Sequence, residues 1–193
     1  MKKNIFFIVI ILSNFILLNA QNLKSVDFKI CHFYQKENSN ISIISCSSID
    51  KNGNLKVYLE GFKDTPYYVY QLNESETNNI NQLFDNKLSD YIEKEKVPKS
   101  TNISERFYIS YKNQKNNTEK LCFMDRYMSK KFNRIMNSIF GIIYKNVIKN
   151  DETKNNFKIS DYKKMKKEII TEIKKDKNLP ILTFDAPSPP TSK

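Results

Sequence analysis

Between residues 26 and 72 apolar and polar positions alternate with a period of two, in short runs separated by turn residues. That pattern commits the first part of the chain to antiparallel strands. Residues 26–34 read as a strand with Val26, Phe28, Ile30, His32 and Tyr34 on one face. Residues 35–40 form a polar turn and 41–49 the second strand. Asn52-Gly53 is the sharpest hairpin signal, because a two-residue type I′ turn needs positive φ at both central positions. Strands at 55–60 and 67–72 follow, and Pro66 suits the start of the last one.

These turns set registers. If the 35–40 turn pairs Tyr34 with Ile43, Cys31 falls opposite Cys46. Directly opposed side chains have Cβ atoms about 4.5–5.5 Å apart, near bridging range. A disulfide between Cys31 and Cys46 is therefore expected. The Asn52-Gly53 turn pairs Lys51 with Asn54 and places Cys46 opposite Leu59. The expected core face then gathers Cys31, Phe33, Ile44, Cys46, Val57 and Leu59. Cys122 makes the cysteine count odd, so at most one internal bridge can close.

Asn73, with Glu76 three residues on, is an N-cap for a helix carrying Ile80, Leu83, Phe84, Leu88, Tyr91 and Ile92 at helical spacing. Strands at 105–111 and 121–127, joined by a long polar turn, repeat the strand-then-helix arrangement. Ser129 caps the most apolar helix, with Phe132, Ile135, Met136, Ile139, Phe140 and Ile143. After a polar linker at 151–157, Ser160 caps a second amphipathic helix. The expected fold is α+β: an antiparallel sheet of about six strands with two or three helices on one face, in the order ββββ-α-ββ-α-α. The units are a leader (1–20), a core domain (21–150), a basic amphipathic helix extension (151–178) and a Pro/Ser-rich, disordered tail (179–193).

The leader is read from a basic start at Lys2-Lys3, an almost wholly apolar run from 5 to 18, and a small residue, Ala20, at the cut. The run is shorter than the roughly 20 residues that span a bilayer. The expectation is cleavage and export, periplasmic or extracellular, with no transmembrane segment left. In general look, the chain is similar to many small exported bacterial proteins.

Scarce residues exclude several chemistries. Three scattered glycines rule out a P-loop or a dinucleotide fingerprint, both of which need clustered glycine. A single histidine, His32, rules out zinc sites that need two imidazoles. His32 sits across from Ser45, but no nucleophile elbow or oxyanion element accompanies the pair. No catalytic residue, cofactor or metal is assigned. The net charge of +11 becomes +9 once Lys2 and Lys3 leave, since residues 1–20 hold no acid. Nucleic acid is not the expected partner.

Two surfaces are candidates for binding. Tyr58, Tyr67, Tyr68 and Tyr70 are dense around the third and fourth strands, and tyrosine suits interfaces because a large ring carries a polar tip. Lys163, Lys164, Lys166, Lys167, Lys174 and Lys175 flank the last helix and offer a basic surface for anionic lipid or wall polymer. The function expected is that of a non-enzymatic binding protein with another protein as partner. The alternatives are an envelope hydrolase using acids that the sequence does not single out, and a basic surface-binding protein.

Overall fold

The structure is a computed structural model that describes residues 23–35, 40–60, 67–146, 159–175 and 179–183. The leader, most of the 35–40 turn, the 151–157 linker and the tail from 184 lie outside the described residues. Six strands form one antiparallel sheet: β1 (Val26–Gln35), β2 (Ile41–Ile49), β3 (Asn54–Leu59), β4 (Tyr67–Gln71), β6 (Glu105–Lys112) and β7 (Thr118–Phe123). Their spatial order is β4-β3-β2-β1-β6-β7. Three helices, α1 (Glu74–Asn81), α2 (Lys130–Asn146) and α3 (Ile159–Lys175), complete the ββββ-α-ββ-α-α order. A short parallel pair, β5 (Ser100–Thr101) with β8 (Ile181–Leu182), ties the C-terminal segment back to the body.

The first four strands are a meander. The chain then returns through α1 and three 3₁₀ turns to lay β6 along the free side of β1. β1 is thus central, and both of its faces are sealed. Phe28 and Ile30 pack in the cluster shared with α1 and α2. Cys31 and Phe33 pack in a second cluster with Met165 and Ile169 of α3. Helices therefore cover both faces of the sheet, which corrects the expected one-sided packing. Period-two alternation marks one face as apolar but leaves the other unassigned. Here Cys31 and Phe33, at odd positions of β1, are as buried as Phe28 and Ile30 at even ones and need a cover of their own.

The Asn52-Gly53 turn also differs from expectation. Gly53 has φ of +80°, but Asn52 does not have positive φ, so the turn is not type I′. The loop spans three residues between Asp50 and Asn54: the Asp50 amide donates to the Asn54 carbonyl (3.1 Å) and the Gly53 amide to the Asp50 carbonyl (3.0 Å). Asp50 Oδ1 accepts from the amides of Asn52 and Asn54, which fixes this wider loop. The register moves by one residue, so Cys46 faces Tyr58 and Ser45 faces Leu59. One residue of slip exchanges faces. Val57 and Leu59 join the α1/α2 side, away from Cys31 and Cys46. Between β1 and β2, Cys31 does pair with Cys46, but a bulge beyond His32 sets Tyr34 against Ser42 rather than Ile43.

The capping box at Asn73 and Glu76 is present. The helix it starts, however, runs only eight residues before giving way to 3₁₀ turns. Ile80, Leu83, Leu88 and Tyr91 still reach the core. The Tyr91 hydroxyl donates to the Leu83 carbonyl at 3.1 Å, an acceptor that a continuing α-helix would have used itself. Ser129 caps α2 as expected, accepting from the Phe132 amide at 3.3 Å. The last helix begins at Ile159, so Ser160 lies inside it rather than before it.

Candidate functional site

The most organised polar constellation lies at the end of the sheet where β1 finishes. β1 and β2 present His32 and Ser45 as a direct pair, and β6 sets Phe107 opposite His32 on the other side. Glu105, two residues earlier on β6, lies within reach of the imidazole. The last turns of α2 bring Phe140 and Tyr144 over the same point. His32 Nε2 lies 2.7 Å from Glu105 Oε1. A carboxylate accepts only, so Nε2 carries the proton and Nδ1 accepts from the Tyr144 hydroxyl at 3.2 Å. Tyr144 Oη is also 3.5 Å from Ser45 Oγ.

Aromatic rings pack around this chain of groups. His32 stacks on Phe107 with centroids 4.7 Å apart and planes 18° from parallel. Phe107 meets Phe140 at 5.2 Å, and Phe140 stacks on Tyr144 at 6.3 Å. Tyr34 flanks His32 at 6.1 Å. Burial lowers the pKa of His32 from its ordinary 6.5, and Glu105 opposes that without cancelling it. The imidazole is therefore neutral at pH 7 and works as a fixed relay between Glu105 and Tyr144. Ser45 is 1% exposed at the inner end of the relay. What the arrangement presents to solvent is the aromatic and phenolic surface of Tyr34 and Tyr144, with the half-exposed Glu105 carboxylate beside it.

Tyr34 is 43% exposed and Tyr144 37%. Ile103, 44% exposed, lies beside Ser104, whose carbonyl accepts from the Gln35 amide at 2.9 Å. Three of the four exposed large apolar side chains among the described residues thus gather at this end of the sheet; the fourth is Ile181. Sequence reading identified the His32–Ser45 pairing but missed Glu105 and Tyr144. Those residues sit 73 and 112 positions from His32 and carry no local motif.

The tyrosines singled out from the sequence do not form one exposed face. Tyr68 is buried, correcting its expected place in a recognition surface, and its hydroxyl donates to the Ile143 carbonyl. Tyr70 lies on the same side, with its hydroxyl 3.1 Å from both Glu76 carboxylate oxygens. Tyr58 is on the opposite side, packed against the α3 cluster with its hydroxyl on Glu60. The backbone of Tyr67 pairs with Tyr58, and its side chain lies outside the described residues.

Cys31 and Cys46 meet beneath α3 with Sγ atoms 2.9 Å apart, and none of the three cysteines is disulfide-bonded in the structure. On α3, Met165 and Ile169 are buried against the sheet. Lys163, Lys164, Lys167, Lys174 and Lys175 are exposed, and Lys166 is partly so. Glu168 and Glu172 turn inward instead, to Lys29 of β1 at 3.5 Å and Lys120 of β7 at 3.7 Å. At the far end of the sheet, a groove of about 630 Å³ is lined by Lys24, Asp85, Lys87, Asp90, Tyr111 and Glu119, among others. Two of its acids already have partners: Asp85 pairs with Lys24 at 3.2 Å, and Asp90 accepts from the Lys87 amide at 3.3 Å.

Among the described residues no three His, Cys, Asp or Glu side chains converge for a metal, and no helix is long and apolar enough to cross a membrane. No family model, curated protein or solved structure matches this chain.

Proposed function

We propose that this is an exported, non-enzymatic binding protein of the cell envelope or exterior. It recognises a protein partner through the aromatic corner of Tyr34, His32, Phe107, Phe140 and Tyr144. The observation that carries the reading is the gathering of exposed apolar side chains at one end of a sheet otherwise sealed on both faces. Interfaces are anchored by large, rigid aromatics with polar tips. The His32 relay and the ring stack hold two tyrosines in that state before any partner arrives, which lowers the ordering cost of binding. The test is a pull-down from host envelope and secreted fractions, comparing the protein with a Tyr34→Ser/Tyr144→Ser variant. One stoichiometric partner, lost with the variant, is expected. Equal capture by both proteins, or no partner for either, defeats the reading.

A second reading rests on α3. Because Glu168 and Glu172 lean toward the sheet, the outward arc of the helix carries Lys163, Lys164, Lys167 and Lys174 with Thr171, and Lys175 at its edge lies 4.0 Å from Glu172. These lysines span roughly 18 Å at 1.5 Å per residue, a stripe suited to contact with an anionic lipid surface. Co-sedimentation with anionic but not neutral vesicles, weakening steeply as salt rises, is the expected signature. Salt-insensitive or absent binding removes it.

A further inference from the structure

Cys31 and Cys46 are opposed within a regular stretch of ladder, flanked by the pairs Ile30–Ser47 and His32–Ser45. Opposed antiparallel residues have Cα atoms about 4.5–5.5 Å apart, inside the disulfide range. Their sulfurs lie 2.9 Å apart on the same face of the sheet. Cys122 cannot compete. It pairs with Tyr108, which pairs with Cys31, so two strand spacings, about 10 Å, separate it from Cys31. From Cys46 it is one strand further still. A bridge needs Cα atoms within about 7 Å.

Access is the second consideration. Both sulfurs are fully buried, and Met165 Sδ of α3 lies against Cys31 Sγ. Burial raises the Cys31 thiol well above its ordinary value. The thiolate is the attacking species in exchange, so the docked molecule is a poor substrate for oxidation. The hairpin that aligns the pair is complete within the first 49 residues, whereas Met165 is 134 positions beyond Cys31.

We infer that Cys31 and Cys46 close a cross-strand disulfide while the β1–β2 hairpin is still uncovered, and that α3 then seals the bond. The oxidant is a disulfide donor, either a small molecule such as oxidised glutathione or an exchange protein. One cysteine thiolate attacks a donor sulfur, forming a mixed disulfide and expelling one donor thiolate. The second cysteine thiolate attacks the protein sulfur of that mixed disulfide and expels the other. The two thiol protons end on the donor, which gains two electrons as the pair loses two.

The experiment refolds the protein from denaturant in a glutathione redox buffer, so its outcome does not depend on export. Alkylation after denaturation without reductant should then label Cys122 alone; with reductant it should label all three cysteines. Three labels without reductant, or a mapped bridge that includes Cys122, overturn the pairing. A second arm folds the protein reduced, removes the reductant and adds oxidised glutathione. Closure at least tenfold slower than during refolding is expected. Equal rates overturn the order in which bond and helix form.

Discussion

The state of His32 is set by residues far away in the chain, and its charge is a stability variable. Its folded pKa is lowered, with desolvation the largest cause and Glu105 opposing. Below the ordinary 6.5 the unfolded chain takes up a proton that the folded one resists. The stabilisation is therefore complete above that value and is lost as the pH falls toward the depressed folded value. Thermal melts at pH 7.5 and 5.0 should show a drop that His32→Gln reduces. Replacing Glu105 with Gln removes the opposing influence and should move the imidazole titration further down. Because His32 is the only histidine, its proton resonance reports this directly. An unchanged or raised titration in Glu105→Gln would remove Glu105 from the relay. Of this relay only the His32–Ser45 pairing was legible, from the expected strand register; the fold alone brings Glu105 and Tyr144 to them.

The two described hairpin loops are built alike. Asp50 and Asn113 each accept amide bonds from residues two and four positions ahead. Gly53 and Asn116 each take the left-handed conformation at the fourth position. Asn-Gly located the first turn in the sequence correctly. It did not separate a two-residue loop from a three-residue one, because left-handed glycine serves both. What decides is the Asp50 carboxylate, which satisfies the amides of the wider loop. That single residue moved the β2–β3 register and split the expected core face. Gly53→Ala should destabilise by about 1–2 kcal/mol, since φ of +80° disfavours a side chain. The new Cβ would also lie 3.2 Å from Gln71 Nε2. Asn116→Ala, from a residue that tolerates this region better than most, should cost less. Urea titrations rank the two, and a larger loss at Asn116 would contradict the account. At the start of α1, Asn73→Ala should cost about 1 kcal/mol by removing the cap on the Glu76 amide. That cap was readable from sequence because it is purely local. The early end of the same helix was not, because it depends on Tyr91 reaching back to the Leu83 carbonyl.

At the scale of the molecule, the question is what holds α3 on the second face of the sheet. Ion pairs to Lys29 and Lys120 are the visible candidates, but their side chains are 21–31% exposed at 3.5–3.7 Å. Such partly solvated pairs contribute about 0–1 kcal/mol each. Ile169 is fully buried between helix and sheet, with Met165 beside it. Truncating a buried isoleucine costs about 2–5 kcal/mol, because the lost transfer energy is joined by the cavity left behind. Apolar burial should therefore dominate the docking, with the ion pairs setting the rotation that leaves the lysines outside. The amphipathic pattern in the sequence showed that this helix had a face to bury, but not which surface would receive it. That surface is assembled from Cys31 and Phe33 of β1 with Ile43, Cys46, Tyr108 and Cys122 of the neighbouring strands, which only the sheet brings together. Ile169→Ala should lower the melting temperature by several degrees and remove hydrogen-exchange protection from α3 before the sheet. Lys120→Met should do neither to a comparable extent. If Lys120→Met instead released α3 while Ile169→Ala left it protected, charge rather than burial would be what closes the second face.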